Sequence, residues 1–388
     1  MRRLAITGGG TGGHLYPGIA VAEALLTRFP DAHVRFFAGD RLERQVLPAL
    51  GWPLEVIPAR PLPRRAQPSA AAALAVTLWG AAVAARHLRA FRPQAVLATG
   101  GYVAGPVGLA ARLLGIPLVV QEQNVIPGLT NRLLARWARA VSAPLGVGEG
   151  FPSGRVVVTG VPVRSGALSG DRARAAVAYG LLPERPTVLV LGGSQGAAGL
   201  NRLVTEALTH LAALPVQVLH QTGPDHLAWV QGEVARRVPQ AVLRHVAVPY
   251  IDTIGDAYAA ADLVVCRSGA STLAEVTAWG LPAVLIPYPH ALAGEQEANA
   301  RVLAQAGAAE VYRESDLPPT RLAERLRALL QDPERRRAMG EASRRLGRPD
   351  AAERVVDLLL QAAGLEVRRS AVLPTAGARL RRHGGAAR

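Results

Sequence analysis

Two doubly wound α/β domains facing one another across a cleft are predicted by three features of this 388-residue chain. Its length exceeds one ordinary hydrophobic core, which makes two domains the default. Apolar β-type runs alternate with helical patterns from end to end, the signature of parallel sheets wrapped by helices. The halves also repeat a device in which a strand runs into a glycine loop and then a helix. It opens each half as "AITGGGTGGH" and "LVLGGSQGAAG", and returns later as "LATGGYVAGP" and "VVCRSGASTLAEV". Ligands of open α/β sheets sit at the carboxyl ends of strands, so the four loops aim at one cleft and imply two ligands.

In the first half the strands are "RLAIT", "VRFFAG", "LEVI", "AVLATG" and "PLVVQE", with helical patterns over 18–28, 70–90 and 105–114. The Pro-broken stretch "SAPLGVGEGFPSGR" (142–155) closes this set, and residues 160–172 carry the chain onward. The second half supplies "TVLVLGG", "VQVLHQTG", "AVLRHVAV", "DLVVCRSG" and "AVLIP", with helices near 197–213, 226–236, 271–279 and 295–306.

Composition narrows the class. All 44 basic residues are Arg and none is Lys, so the net charge of +15 reads as a coding bias. Six of these arginines lie in the acid-free tail 367–388. No aromatic-interleaved basic motif marks a nucleic-acid reader, and nucleic acid is not expected as a partner. The lone Cys266 excludes an internal disulfide and suits a reducing compartment. The start runs straight into the glycine loop, without the apolar stretch of a signal peptide. The most apolar stretch is "AAAALAVTLWGAAVAA" (70–85), shorter than the roughly 20 residues of a span. Leu74, Leu78, Trp79 and Val83 share one side, Arg64 and Arg65 precede it, and Arg86, Arg89 and Arg92 follow. Such a helix can lie in a lipid headgroup plane; a buried helix of an α/β domain fits as well.

The loops carry the chemistry. "GGGTGG" fits the dinucleotide pattern through Gly8, Gly10 and Gly13, but the acidic residue that should hold a ribose, Asp40, comes some ten positions late. With no Lys in the chain, a P-loop triphosphatase is excluded. "GGSQGA" offers backbone N–H groups and the Ser194 hydroxyl at a helix start, suited to a phosphate. "CRSGASTLAEV" is the sharpest segment. Ser268, Gly269, Ala270, Ser271 and Thr272 open a helix ready for a pyrophosphate, and Glu275 one turn on can accept both hydroxyls of a ribose. The alternative is a capping box between Thr272 and Glu275. A nucleotide with two phosphates and no second nucleotide feature points to a nucleotide sugar. No Asp-x-Asp triplet is present to hold a cation, so the leaving diphosphate falls to the helix N-terminus and an arginine, for which Arg164 in "VTGVPVR" is the candidate. Its alternative is an ordinary inter-domain ion pair. Displacement at the sugar needs a base near neutrality, and His14 behind the first loop has that chemistry, unless it only binds a phosphate.

Seven ordered segments resemble glycosyltransferase family 28, the UDP-N-acetylglucosamine transferases that convert lipid I to lipid II. They are "GGGTGGHLYPGIA", "TGGYVAGP", "QEQNVIPGLTNRLLA", "VTGVPVR", "GGSQGA", "ADLVVCRSGASTLAEVTAWGLPAVLIPYP" and "EQEANA", and the resemblance runs from residue 3 to about 366. It implies a GT-B fold. The acceptor and membrane-associating domain spans 1–164 and the UDP-GlcNAc domain 165–345. A helix over 346–366 crosses back near "PDAAERVVDLLL", and a basic tail follows at 367–388. It implies inverting, metal-independent transfer to the C4 hydroxyl of the lipid-linked muramoyl sugar, without a cofactor. Donor contacts fall on Thr11, Gly12, Gly13, Asn124, Arg164, Ser194, Ile251, Ala270, Ser271, Thr272, Leu273, Ala274, Glu275 and Gln296. Ile251 meets uracil through its backbone, Glu275 the ribose and Gln296 the sugar hydroxyls. His14 and Tyr102 look toward the acceptor diphosphate, with His14 where the attacking hydroxyl loses its proton. The partners implied are UDP-GlcNAc, lipid I and the cytoplasmic face of the membrane, where the chain would sit peripherally. Other cell-wall synthesis proteins are candidates too. The 70–92 helix then becomes an interfacial candidate. Gln121, Val161 and Glu295 depart from the usual His, Asn and His, and Gln121 removes a second candidate base. Readings of another kind are a different GT-B UDP-sugar transferase acting on a lipid, or a non-catalytic UDP-sugar-binding scaffold.

Overall fold

The computed structural model describes residues 3–61, 69–238 and 242–367. It contains two wholly parallel sheets. The first runs in the order β3-β2-β1-β4-β5-β6-β7 and is built from β1 (Arg3–Gly8), β2 (His33–Ala38), β3 (Leu54–Val56), β4 (Ala95–Gly100), β5 (Leu118–Gln121), β6 (Ala140–Ala143) and β7 (Val156–Val158). The second runs β10-β9-β8-β11-β12-β13, from β8 (Thr187–Leu191), β9 (Gln217–Gln221), β10 (Arg244–Val248), β11 (Leu263–Cys266), β12 (Ala283–Leu285) and β13 (Ala309–Val311). Every strand expected from the sequence is present. β6, β7 and β13 have no counterpart in that reading, because they are three or four residues long and at or beside a sheet edge, too short for a periodicity.

In both sheets the strand order reverses at the same place, between β1 and β4 and between β8 and β11. The four glycine loops leave the carboxyl ends of these four strands, where open α/β sheets form their ligand crevices. The helix after the first loop spans Gly12–Arg28, six residues earlier than the pattern over 18–28 indicates. Pro17 hid this. A proline removes only the bond to the carbonyl four residues back, here Gly13 at the helix mouth.

Each sheet is buried on both faces, as continuous apolar strands require. On one face of the first sheet Leu4, Ile6, Leu97 and Val119 pack with Val355, Val356 and Leu359 from the helix Ala351–Ala362. The last described helix therefore completes the core of the first domain. Cys266 lies in the second domain's core, and burial pushes its thiol up to about 12.

The apolar stretch at 70–90 forms the helix Ser69–Phe91, whose Ala71–Phe91 part is long and apolar enough to cross a membrane by length and composition, with 28% of its most apolar window buried. Its inner face is small: Ala73, Ala81, Ala84 and Leu88 are buried. Leu74, Leu78 and Trp79 are 53%, 55% and 64% exposed, so the large side chains point outward. Val83, expected beside them, instead packs against the core. Arg64, Arg65 and the tail beyond Val367 lie outside the described residues.

Candidate active site

The first glycine loop is held by the protein's own groups. Gly10 takes a left-handed φ of 87°, and its N–H is donated to Glu43, a buried carboxylate on the helix Leu42–Ala49. Thr11 is the exposed N-cap of the Gly12–Arg28 helix and makes no side-chain cap bond, while a side chain at the exposed Gly13 would meet only Thr11 Oγ1, at 3.8 Å. Tyr102 packs over Gly10. Gly100 and Gly101 have positive φ, and a side chain at either would strike His14 or the Gly9 carbonyl, so glycine here lets the two loops touch.

His14 is half-buried, with Nδ1 3.0 Å from the Thr99 carbonyl oxygen and 3.3 Å from Gln123 Oε1. A carbonyl can only accept, so Nδ1 carries a proton, and in the neutral ring the lone pair lies on Nε2. Thr99 Oγ1 donates to the His14 carbonyl at 2.7 Å, and Gln123 Nε2 donates to the Thr99 carbonyl at 2.6 Å and to Gln121 Oε1 at 2.7 Å. The buried Gln121 thus serves to orient Gln123. Beside it the buried Glu122 carboxylate accepts from Gln123 N and Asn124 N at 2.9 Å, Gly128 N at 3.0 Å and Asn131 Nδ2 at 2.9 Å, which folds residues 122–128 into a rigid loop. That loop reaches the second domain. Asn299 donates to Asn124 Oδ1 at 3.0 Å and accepts from Val125 N at 2.9 Å.

Opposite lies the helix Ala270–Trp279, with Gly269 as its N-cap and no side-chain cap bond. Thr272 and Glu275 form no capping box. Glu275 instead accepts from the buried Tyr258 hydroxyl at 2.7 Å. The Ser268 and Ser271 hydroxyl oxygens at this helix start are buried without a partner among the described residues. Polar groups left this way are rare and expected to meet a ligand or water. Desolvation pushes the Glu275 carboxyl up to about 7, against the opposing pull of the Tyr258 hydrogen bond and the Arg164 charge. Ser271 and Glu275 share one face of the helix at a spacing of four. Ala270, Leu273 and Ala274 instead line a cavity of about 80 Å³ between the domains, together with Val161.

Of the remaining expected residues, Gln296 touches this helix start through Ser268 N. Ser194 is exposed in the 192–197 loop, where Gly193 and Gly196 have positive φ. Gln221 ties that loop to the next by donating Nε2 to Gly193 O at 2.9 Å and accepting Ile251 N at 3.0 Å. The Ile251 side chain is buried and its N–H is taken by Gln221. Gln296 Oε1 accepts from Tyr288 N at 2.9 Å and Ser268 N at 3.2 Å, leaving its Nε2 to donate. Its neighbour Glu295 is half-buried, and desolvation followed by the Glu122 charge raises its carboxyl pKa. Arg164 pairs with Glu23 of the first domain, Nε to Oε1 at 2.9 Å.

Sequence reasoning missed Glu43, Glu23, Tyr258 and Asn299. Glu122 and Asn299 stand inside quoted motifs, which carried the signal. Glu23 and Glu43 are lone acids on helices and carried none.

Two nucleotide-type domains joined across a cleft, with a phosphate-ready helix on one side and an oriented imidazole on the other, define a two-domain glycosyltransferase of the GT-B kind. Residues 4–143 match the glycosyltransferase family 28 N-terminal domain and residues 187–355 its C-terminal domain. The chain is 44% identical over 370 residues to a UDP-N-acetylglucosamine–N-acetylmuramyl-(pentapeptide) pyrophosphoryl-undecaprenol N-acetylglucosamine transferase of Methylococcus capsulatus, covering 94% of this chain and 99% of the relative. It is 40% identical over 372 residues to the transferase of the same name from Desulforudis audaxviator, covering 93% and 99%. The crystal structure of Acinetobacter baumannii MurG superposes with a TM-score of 0.75 at 32% identity, over 93% of this chain and 100% of that one. The chain belongs to glycosyltransferase family 28.

Proposed function

We propose that this protein transfers N-acetylglucosamine from UDP-GlcNAc to the C4 hydroxyl of the muramoyl sugar of lipid I, giving lipid II, with inversion at the anomeric carbon. The observation that carries the reading is the start of the Ala270–Trp279 helix, where two buried serine hydroxyls lack partners among the described residues and Glu275 stands one turn below. A diphosphate at the helix N-terminus meets free N–H groups and the positive end of the dipole. Thr272 and Ser194 add hydroxyls, the Glu275 carboxylate takes the ribose, the Ile251 carbonyl the uracil, and Gln296 Nε2 with Asn124 the sugar. His14 Nε2 accepts the proton of the C4 hydroxyl as its oxygen bonds to the anomeric carbon. The sugar–phosphate bond breaks with its electron pair going to UDP, whose charge the helix and Arg164 absorb. Thr11, Gly12, Gly13 and Tyr102 flank the acceptor side.

The working division is 1–164 for the acceptor, 165–345 for the donor and 346–366 for the returning helix. The outward Leu74, Leu78 and Trp79 support peripheral attachment to the cytoplasmic membrane face, where a lipid-linked acceptor lies. Transfer of labelled GlcNAc to a short-chain lipid I analogue, in chelator and with added manganese, tests the reading. Product in chelator is expected; turnover only with manganese overturns the metal-independent route.

A further inference from the structure

The chain passes from the first domain to the second through Arg164 and a single helical turn, Ser165–Leu168. That turn is held from both sides. On the first-domain helix, Glu23 Oε1 lies 2.9 Å from both Nε and Nη2 of Arg164, and its Oε2 is 3.4 Å from Ser165 N and Oγ. From the donor helix, Trp279 donates Nε1 to the Ala167 carbonyl at 2.7 Å. The first-domain helix, the linker turn and the donor helix pack on one another. The Arg164 charge also reaches Glu275 and favours its ionised form. One guanidinium is therefore flanked by a carboxylate from each domain, beside the helix start assigned above to the donor diphosphate.

We propose that Glu23 is a positioning residue for donor binding: it holds Arg164 by Nε and Nη2, and so presents Nη1 to the diphosphate. The role rests on the donor site proposed above. A free arginine loses about 2 kcal/mol of rotamer freedom when it clamps a ligand, and a partner already holding it reduces that loss. The arrangement also ties occupancy to the linker. A diphosphate that draws on Arg164 pulls on the turn that Glu23 and Trp279 anchor to opposite domains. Sequence spacing gave no sign of this, since the partners are 141 residues apart.

The test is donor KM and kcat of the full chain with UDP-GlcNAc and a lipid I analogue, across about pH 5.5–8.5, around the Glu275 value of about 7. The groups acting on that carboxyl are Tyr258 and Arg164, and Tyr250 and Cys266 feel its charge. Glu23→Ala is expected to raise donor KM about fivefold, the upper size of a partly exposed ion pair, with kcat within about twofold. It should also move the pH midpoint of donor KM downward, because the unpaired Arg164 charge then acts more strongly on Glu275. Glu23→Gln, whose amide oxygen still accepts from Arg164, should show a smaller rise. In an Arg164→Ala background Glu23→Ala should add nothing. Unchanged KM and midpoint in Glu23→Ala, or an equal rise with Arg164 already removed, overturns the role. A wild-type chain that does not turn over UDP-GlcNAc overturns the donor reading itself, so the two failures are distinct.

Discussion

The two domains place glycine loops on the strands that flank their switch points and use two of these loops in opposite ways. In the first, the glycine loop after β1 meets an anion of the protein's own, the buried Glu43 that takes the Gly10 N–H. In the second, among the described residues, the helix start after β11 takes the amide of Gln296, and the Ser268 and Ser271 hydroxyls are left without partners. Glycine marks where a backbone can approach closely; it does not say whose negative charge arrives. The first loop is thus partly sealed by the protein itself, whereas the second keeps open the hydroxyls that the proposed function gives to a diphosphate.

The division of labour can be tested from its largest consequence downward. His14→Ala should lower kcat by about a hundredfold or more while donor KM stays within about twofold, the pattern of a proton acceptor that does not bind the donor. An unchanged kcat in steady-state assays removes the base. Glu43→Ala strips the anion from the first loop and leaves the part-buried Gly10 N–H without it, at a cost of about 1 kcal/mol in urea unfolding. Pyrophosphate should restore more stability to this variant than to wild type, and equal responses would mean the loop never held an anion's place. Glu275→Ala should raise donor KM about tenfold, the worth of one charge-assisted contact. In wild type the carboxyl ionises near pH 7. In the proposed function the ionised form accepts both ribose hydroxyls, so affinity should rise as pH climbs through that value and fall below it. Glu275→Gln has no such proton to lose, and its donor KM should be flat over the same range. The smallest effect concerns the outer face of the first domain. Trp79→Glu should weaken sedimentation with anionic vesicles by a few-fold, about 1 kcal/mol, without changing donor KM.

Much of this architecture could be read beforehand, for reasons that differ by element. Fully buried parallel strands such as "TVLVL" and "AVLATG" declare themselves as apolar runs, and the four glycine loops mark the switch points because only glycine permits those close approaches. Ser271 and Glu275 were readable because their spacing on one helix face is local. Glu23 and Glu43 were not, since each acts on a loop brought near only by the sheet. The Thr272–Glu275 pair shows the opposite limit: the spacing of a capping box is present, yet Tyr258 from another helix claims the carboxylate. Arg164 forms an ion pair, with Glu23 of its own domain at the start of the linker turn, and its charge also reaches Glu275 on the donor helix.

The helix Ala351–Ala362 has a consequence for biogenesis. It fills the core of the first domain, yet it is made after the entire second domain. A ribosome that has released β1 through β7 holds a sheet with one apolar side still uncovered by Val355, Val356 and Leu359. The first domain must wait, partly open, until synthesis passes residue 360, and the second domain can close before it.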